Sequence, residues 1–159
     1  MNAIELLKAD HAKVQELFRR YEKAGGQQRE IAEQIFTELE MHATLEEELF
    51  YPALRGHVEP VAAAAEETED EEEDLVAEAL EEHREVKTLI ATLRALDPGD
   101  ARFQTKFAEL REGVEEHVGM EEDELMPDAV AALGGELDRL GRRVRGGRPR
   151  GLGRQWPES

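Results

Sequence analysis

Apolar residues recur every three or four positions along most of the chain, and no segment shows sustained period-two alternation. That pattern predicts helix throughout and an all-α fold. A first helix is expected from about Ala3 to Ala24, with Ile4, Leu7, His11, Val14, Phe18 and Tyr21 along one stripe and Gly25-Gly26 as its stop. A second spans about Gln28 to Leu54, carrying Ile31, Ile35, Leu39, His42, Glu46 and Leu49. Gly56, Pro60 and an acidic run from Glu66 to Asp74 mark the connection that follows. The third helix carries Val76, Leu80, His83, Val86, Ile90 and Leu93, and Asp97-Pro98-Gly99 closes it. The fourth opens near Asp100, a candidate N-cap, and carries Phe103, Phe107, Leu110, Val114, His117, Glu121 and Leu125. Past Pro127 a short fifth helix is expected, roughly Asp128 to Val144, followed by a flexible tail poor in apolar residues. Residues 1–130 thus form the expected bundle, and 131–159 a C-terminal helix with an Arg-rich tail.

The polar residues inside those stripes are the informative ones. His11, His42, Glu46, His83, His117 and Glu121 each fill a slot that should face the core. A buried His or Glu costs desolvation energy unless it is paired or ligates something. The six also repeat. His11 returns as His83, and His42-x-x-x-Glu46 returns 75 residues later as His117-x-x-x-Glu121. Val and Leu follow both isolated histidines at +3 and +6 (Val14, Leu17; Val86, Leu89), and Pro follows both paired histidines at +10 (Pro52, Pro127). A repeated set spread over four helices calls for one shared explanation.

Composition narrows it. With no cysteine, thiolate metal sites, iron–sulfur clusters and disulfides are excluded. No stretch approaches the roughly 20 apolar residues of a membrane span, and the amphipathic N-terminus does not resemble a signal peptide, so a soluble, cytoplasmic protein is expected. The net charge of −18 is uneven: seven of the 20 basic residues are arginines from Arg139 onward, facing a single acid there, Glu158. The acidic body argues against general affinity for nucleic acid.

Residues at i and i+4 share a helix face, so His42 with Glu46 and His117 with Glu121 can each address one metal ion. His11 and His83, from the other two helices, supply the third direction. Imidazole with bridging carboxylate suits iron, with manganese or zinc as competitors. Two six-coordinate ions held by this set keep about four positions for solvent or a small ligand, which points to binding or chemistry. The Glu-x-x-His motif of ferritin-like proteins is absent, and so is the His-Glu-x-x-His of metalloproteases.

The doubled frame resembles the hemerythrin-like HHE cation-binding family over about residues 3 to 130. The resemblance implies an up-down antiparallel four-helix bundle around a non-haem di-iron centre, its two iron ions oxo- or hydroxo-bridged. It implies Glu46 and Glu121 as bridging ligands and His11, His42, His83 and His117 as terminal ones. It implies a small ligand, O2, nitric oxide or peroxide, or the sensing of iron and oxygen. The oxygen carriers of the family have a further histidine four residues after the third-helix histidine, where this chain has Lys87. They also have Asp five residues after the fourth-helix histidine, where this chain has Glu121 at four. One histidine fewer argues against reversible oxygen carriage and for peroxide or nitric oxide chemistry or iron sensing. Any enzymatic activity is expected to be redox chemistry at the metals. The alternative is a regulatory module in which iron occupancy controls folding and partner binding.

Other residues receive plainer readings. His57 is expected in a surface loop, with approach to the site as an additional ligand the lesser reading. Tyr51 is expected in packing at the bundle end, with a redox or hydrogen-bonding role the lesser reading, and Met41, Met120 and Met126 as core or boundary filler. Glu47 and Glu122 recur as well, which a solvated helix face or a supporting hydrogen bond to a ligand explains. The acidic run reads as a solvated loop or helix start, onto which the arginine tail can dock.

Overall fold

In the computed structural model, residues 1–56 and 66–147 are described, with side chains at 66–74 excepted. His57, the side chains of the acidic run and the tail arginines from Arg148 onward therefore lie outside the described residues. The chain forms α1 (Ala3–Lys23), α2 (Gln28–Leu45), a π-helical turn π1 (Glu46–Phe50), α3 (Tyr51–Gly56), α4 (Glu66–Arg94), α5 (Ala101–Met120), a second π turn π2 (Glu121–Leu125), α6 (Met126–Leu133) and α7 (Glu136–Gly146). Since α2–π1–α3 and α5–π2–α6 each run without interruption, the bundle has four long rods, and α7 is added at one end. Short connections join α1 to α2 and α4 to α5, and each pair packs side by side. The bundle is therefore antiparallel.

Local chemistry sets the helix ends. Asn2 and Glu5 form a reciprocal capping box at the start of α1, with bonds of 2.9 and 3.0 Å. The Asp100 carboxylate accepts from the Arg102 amide at 2.9 Å, as its candidate role as N-cap requires. The acidic run 66–74 proves to be the opening of α4 and not part of the connection.

One expectation at the helix ends needs correction, the start of the extra C-terminal helix, which is α7 and begins at Glu136. Pro127 does not separate a fifth helix: the fourth rod continues through it to Leu133. In each π turn the amide five residues on, Tyr51 or Met126, donates to the carbonyl of Glu46 or Glu121, and the proline comes next. The widened turn accommodates a residue that has no N–H to give and would crowd a regular turn. The real break is Gly134, whose φ of 49° no ordinary side chain adopts easily.

The apolar side chains form two clusters. One holds Val14, Phe18, Tyr21, Ile35, Leu93, Phe103, Phe107 and Leu110, with Tyr21 stacked on Phe107 at 4.0 Å. The other holds Ile4, Leu7, Phe50, Leu54, Leu125 and Met126, joined by Leu137, Leu140 and Val144 of α7. Between them, along every rod, lies the layer that contains the six polar stripe residues.

Gly141 lets α7 cross the N-terminus of α1. A β-carbon there would sit 2.7 Å from Met1 O and 2.9 Å from Ala3 N, both backbone atoms. Gly141→Ala should therefore destabilise the fold by about 1–3 kcal/mol despite its gain in helix propensity. Urea unfolding checks this, and an equal or higher midpoint would show that α7 is free to shift.

Candidate metal centre

All six stripe residues are buried, and Glu46 and Glu121 are 0% exposed. They form two groups, His11–His42–Glu46–Glu121 and His83–His117–Glu46–Glu121, whose ligand atoms lie within 4.8 Å of one another. The carboxylates belong to both. His11 Nε2 lies 3.2 Å from His42 Nε2, and His83 Nε2 lies 3.1 Å from His117 Nε2. Two nitrogens held at about 2.1 Å from one ion, at right angles, would be about 3 Å apart. Glu121 Oε1 is 3.1 Å from His11 Nε2, and Glu46 Oε1 is 3.1 Å from His83 Nε2.

The outer nitrogen of every ring is held by a carboxylate. Nδ1 of His42 lies 3.1 Å from Asp10, Nδ1 of His117 2.8 Å from Glu82, Nδ1 of His11 2.7 Å from Glu122, and Nδ1 of His83 2.8 Å from Glu47. An Nδ1–H that donates outward leaves the Nε2 lone pair facing inward, the tautomer a metal ligand needs. These four partners repeat as the histidines do: Asp10 and Glu82 precede His11 and His83, while Glu47 and Glu122 follow Glu46 and Glu121. The supporting role of Glu47 and Glu122 was legible from their recurrence. Asp10 and Glu82 were missed, although an acid immediately before both isolated histidines was the available signal.

Tyr51 follows the lesser of its two readings, a hydrogen-bonding role. It is buried within the site, not merely packed at the bundle end, and its hydroxyl donates to Glu121 Oε2 at 2.7 Å. The same oxygen is 3.3 Å from both Glu46 Oε1 and His83 Nε2. Burial, together with the adjacent Glu46 and Glu121 carboxylates, pushes the phenol pKa far up, so the proton stays on oxygen.

Without a cation the cluster carries opposed charges. Burial disfavours charged His117, yet hydrogen bonds to Glu121, Glu46 and Glu82 prevail and raise its pKa to about 11. His42 is raised well above its usual value in the same way: burial opposes it, and Glu46 and Asp10 outweigh burial. Glu121 moves the other way, well below the usual carboxylate range, because its hydrogen bonds overcome burial. Glu47 is also lowered; burial resists, and Lys87 and His83 outweigh it. Protons on histidines thus stand where cationic charge is needed, and a metal must displace them.

The donor set fits cations. Nitrogen and carboxylate oxygen converge from four rods, the outer nitrogens are fixed, and Glu46 Oε2 is a buried oxygen with no hydrogen-bond partner among the described residues. Beside the four imidazoles lies a cavity of about 30 Å³, walled by Val14, Leu39, Val86, Ile90, Val114 and Val118, with Lys87 at its edge. Among the described residues, no helix is long and apolar enough to cross a membrane.

Comparison with known proteins agrees with this geometry. The family model described as Hemerythrin HHE cation binding domain matches residues 2–129. The chain is 29% identical over 127 residues to a DNA nickase of Nostoc sp., a match that covers 79% of this chain and 32% of that protein. It therefore spans about a third of that relative's length. It is 26% identical over 146 residues to Rv2633c, an uncharacterised protein of Mycobacterium tuberculosis, with 89% of this chain and 81% of that one covered. Its fold is similar to the crystal structure of a Hemerythrin HHE cation binding domain-containing protein, the Rv2633c homolog from Mycobacterium kansasii. That likeness has a TM-score of 0.74 at 23% identity, over 92% of this chain and 84% of the other. With the family model matched along most of its length and the buried His and Glu groups where a cation site would lie, this chain belongs to the hemerythrin HHE cation-binding domain family.

Proposed function

We propose that the six residues hold two iron ions and that the centre handles a small ligand, peroxide or nitric oxide in preference to reversibly carried O2. The observation that carries this reading is the pair of ligand groups sharing Glu46 and Glu121 directly beside a small apolar cavity. Bound iron would supply redox chemistry and open coordination positions. The chain's part is to hold, orient and exclude. His11, His42, His83 and His117 donate Nε2, and Asp10, Glu122, Glu47 and Glu82 fix the rings. Tyr51 directs its hydroxyl at the shared carboxylates. The apolar clusters on either side keep bulk water from the layer.

The cavity, at about 30 Å³, has room for a water-sized or diatomic guest and little more. Anaerobic loading with Fe(II), followed by nitric oxide or peroxide, should change the visible spectrum within mixing time. An iron-loaded chain that stays spectrally silent to nitric oxide, peroxide and O2 would overturn the reading. Val114→Leu adds one methylene to the cavity wall and should slow that reaction on the order of tenfold, with metal content unchanged. An unaltered rate would place ligand entry elsewhere.

One observation favours a second reading, an iron-dependent regulatory module. The region similar to this chain makes up only 32% of the Nostoc protein, so a related domain there accompanies other sequence. In a module of that kind, metal removal should cost most of the helicity seen by circular dichroism, and small ligands should leave the spectrum unaltered.

A further inference from the structure

The centre repeats itself in two halves, and two side chains break the repeat. The counterpart of Tyr51 is Met126, apolar and buried. The counterpart of Lys87 is Gln15, which is exposed. Both exceptions fall on the His83 side. Tyr51 Oη touches His83 Nε2 at 3.3 Å, and Lys87 Nζ lies 2.9 and 3.1 Å from the two oxygens of Glu47, the carboxylate that holds His83 Nδ1. Among the described residues Glu122, which holds His11 in the same way, has no lysine or arginine partner.

We infer that the two cation positions are unequal: the His11–His42 position fills first and tightly, and the His83–His117 position fills second and more weakly. This rests on the ligand reading above. The phenolic O–H of Tyr51 donates to Glu121 Oε2, the oxygen that faces His117 at 3.5 Å. Glu121 Oε1, which faces His11 at 3.1 Å, is the oxygen Tyr51 does not occupy. A cation in the second position must therefore displace a hydroxyl that touches both His83 Nε2 and Glu121 Oε2, whereas toward the first position the same hydroxyl reaches only Glu46 Oε1, at 3.3 Å.

Charge acts in the same direction. A carboxylate behind an imidazole makes the ring a better cation ligand. Lys87 offsets that charge at Glu47 and adds its own positive field, while Glu122 acts on His11 without such a neighbour. Over a range of cation supply the chain would hold one ion with the second position open. Occupancy of the second position then reports cation supply, which makes the centre graded instead of all-or-none.

The test is a titration of the metal-free, full-length chain with Co(II), followed by calorimetry and by the visible bands of the bound ion. Two steps are expected, the second weaker by at least about tenfold. Lys87→Gln should tighten the second step on the order of tenfold and leave the first alone. Lys87→Arg, which keeps the charge, should match the parent. Tyr51→Phe should also tighten the second step, and Glu122→Gln should weaken the first. The Lys87 side chain is 43% exposed, so its replacement does not threaten the fold. Two ions binding with equal affinity, or a Lys87→Gln variant that weakens the second step, would overturn the inequality and leave the ligand reading standing. Fewer than two ions per folded chain would overturn the ligand reading itself.

Discussion

Glu121→Gln should cost the centre both cations. The side chain is 0% exposed and faces both halves, with Oε1 3.1 Å from His11 Nε2 and Oε2 3.5 Å from His117 Nε2. The amide keeps the shape but loses the charge both positions share and one acceptor oxygen, so one position loses its ligand and the other keeps only a neutral oxygen. Removing a partner behind a ligand costs about 10–100-fold in affinity, so loss of a shared ligand should exceed about a hundredfold at both positions. Asp123→Asn, two residues away on the exposed face, is the control and should bind as the parent does. Elemental analysis after reconstitution and gel filtration reads the difference, and circular dichroism confirms that the variant folds. A Glu121→Gln chain that retains two ions would remove this residue from the ligand set.

Cation loading should also raise the melting temperature sharply. One position occupied at a thousandfold excess over its dissociation constant adds about 4 kcal/mol. For 159 residues that corresponds to a rise of about 8–16 °C. The gain should grow with pH. His42 and His117 have folded-state pKa values raised above their unfolded ones, His117 to about 11. Their contribution to the metal-free fold is complete below about pH 6.5 and is lost progressively as pH rises toward 11. Over the same window fewer protons compete with the metal. The difference between loaded and metal-free melting temperatures should therefore widen from pH 6 to pH 9, as scanning calorimetry would record. A gap that narrows would mean that these histidines do not give up protons on loading.

Much of the centre was legible because its residues break a pattern. His11, His42, Glu46, His83, His117 and Glu121 interrupt apolar stripes, and their repetition ties four helices to one layer. The site role of Tyr51 stayed the lesser reading for a geometric reason. Counted along a regular helix, a residue five beyond Glu46 lies about 140° around the axis, away from the ligand face. The π turn closes a five-residue hydrogen bond from Tyr51 N to Glu46 O and brings the phenol back over the carboxylates. Such a turn has no compositional mark of its own, yet the prolines at +10 from both histidines sit where it ends. Pro127 reads as punctuation between two helices, whereas the rod continues through it. Asp10 and Glu82 look like any charged residue on a solvated helix until both copies are compared. The α7 helix falls within the expected Asp128–Val144 segment, but its docking site on α1 depends on a backbone contact at Gly141 that no local pattern encodes.

The most direct measurement is an anomalous difference map from crystals of the iron-loaded chain, collected at the iron edge. The account predicts two peaks in the layer between the apolar clusters. One should lie between His11 and His42 and the other between His83 and His117, with Glu46 and Glu121 reaching both. A single peak, or peaks that avoid these six side chains, would contradict it.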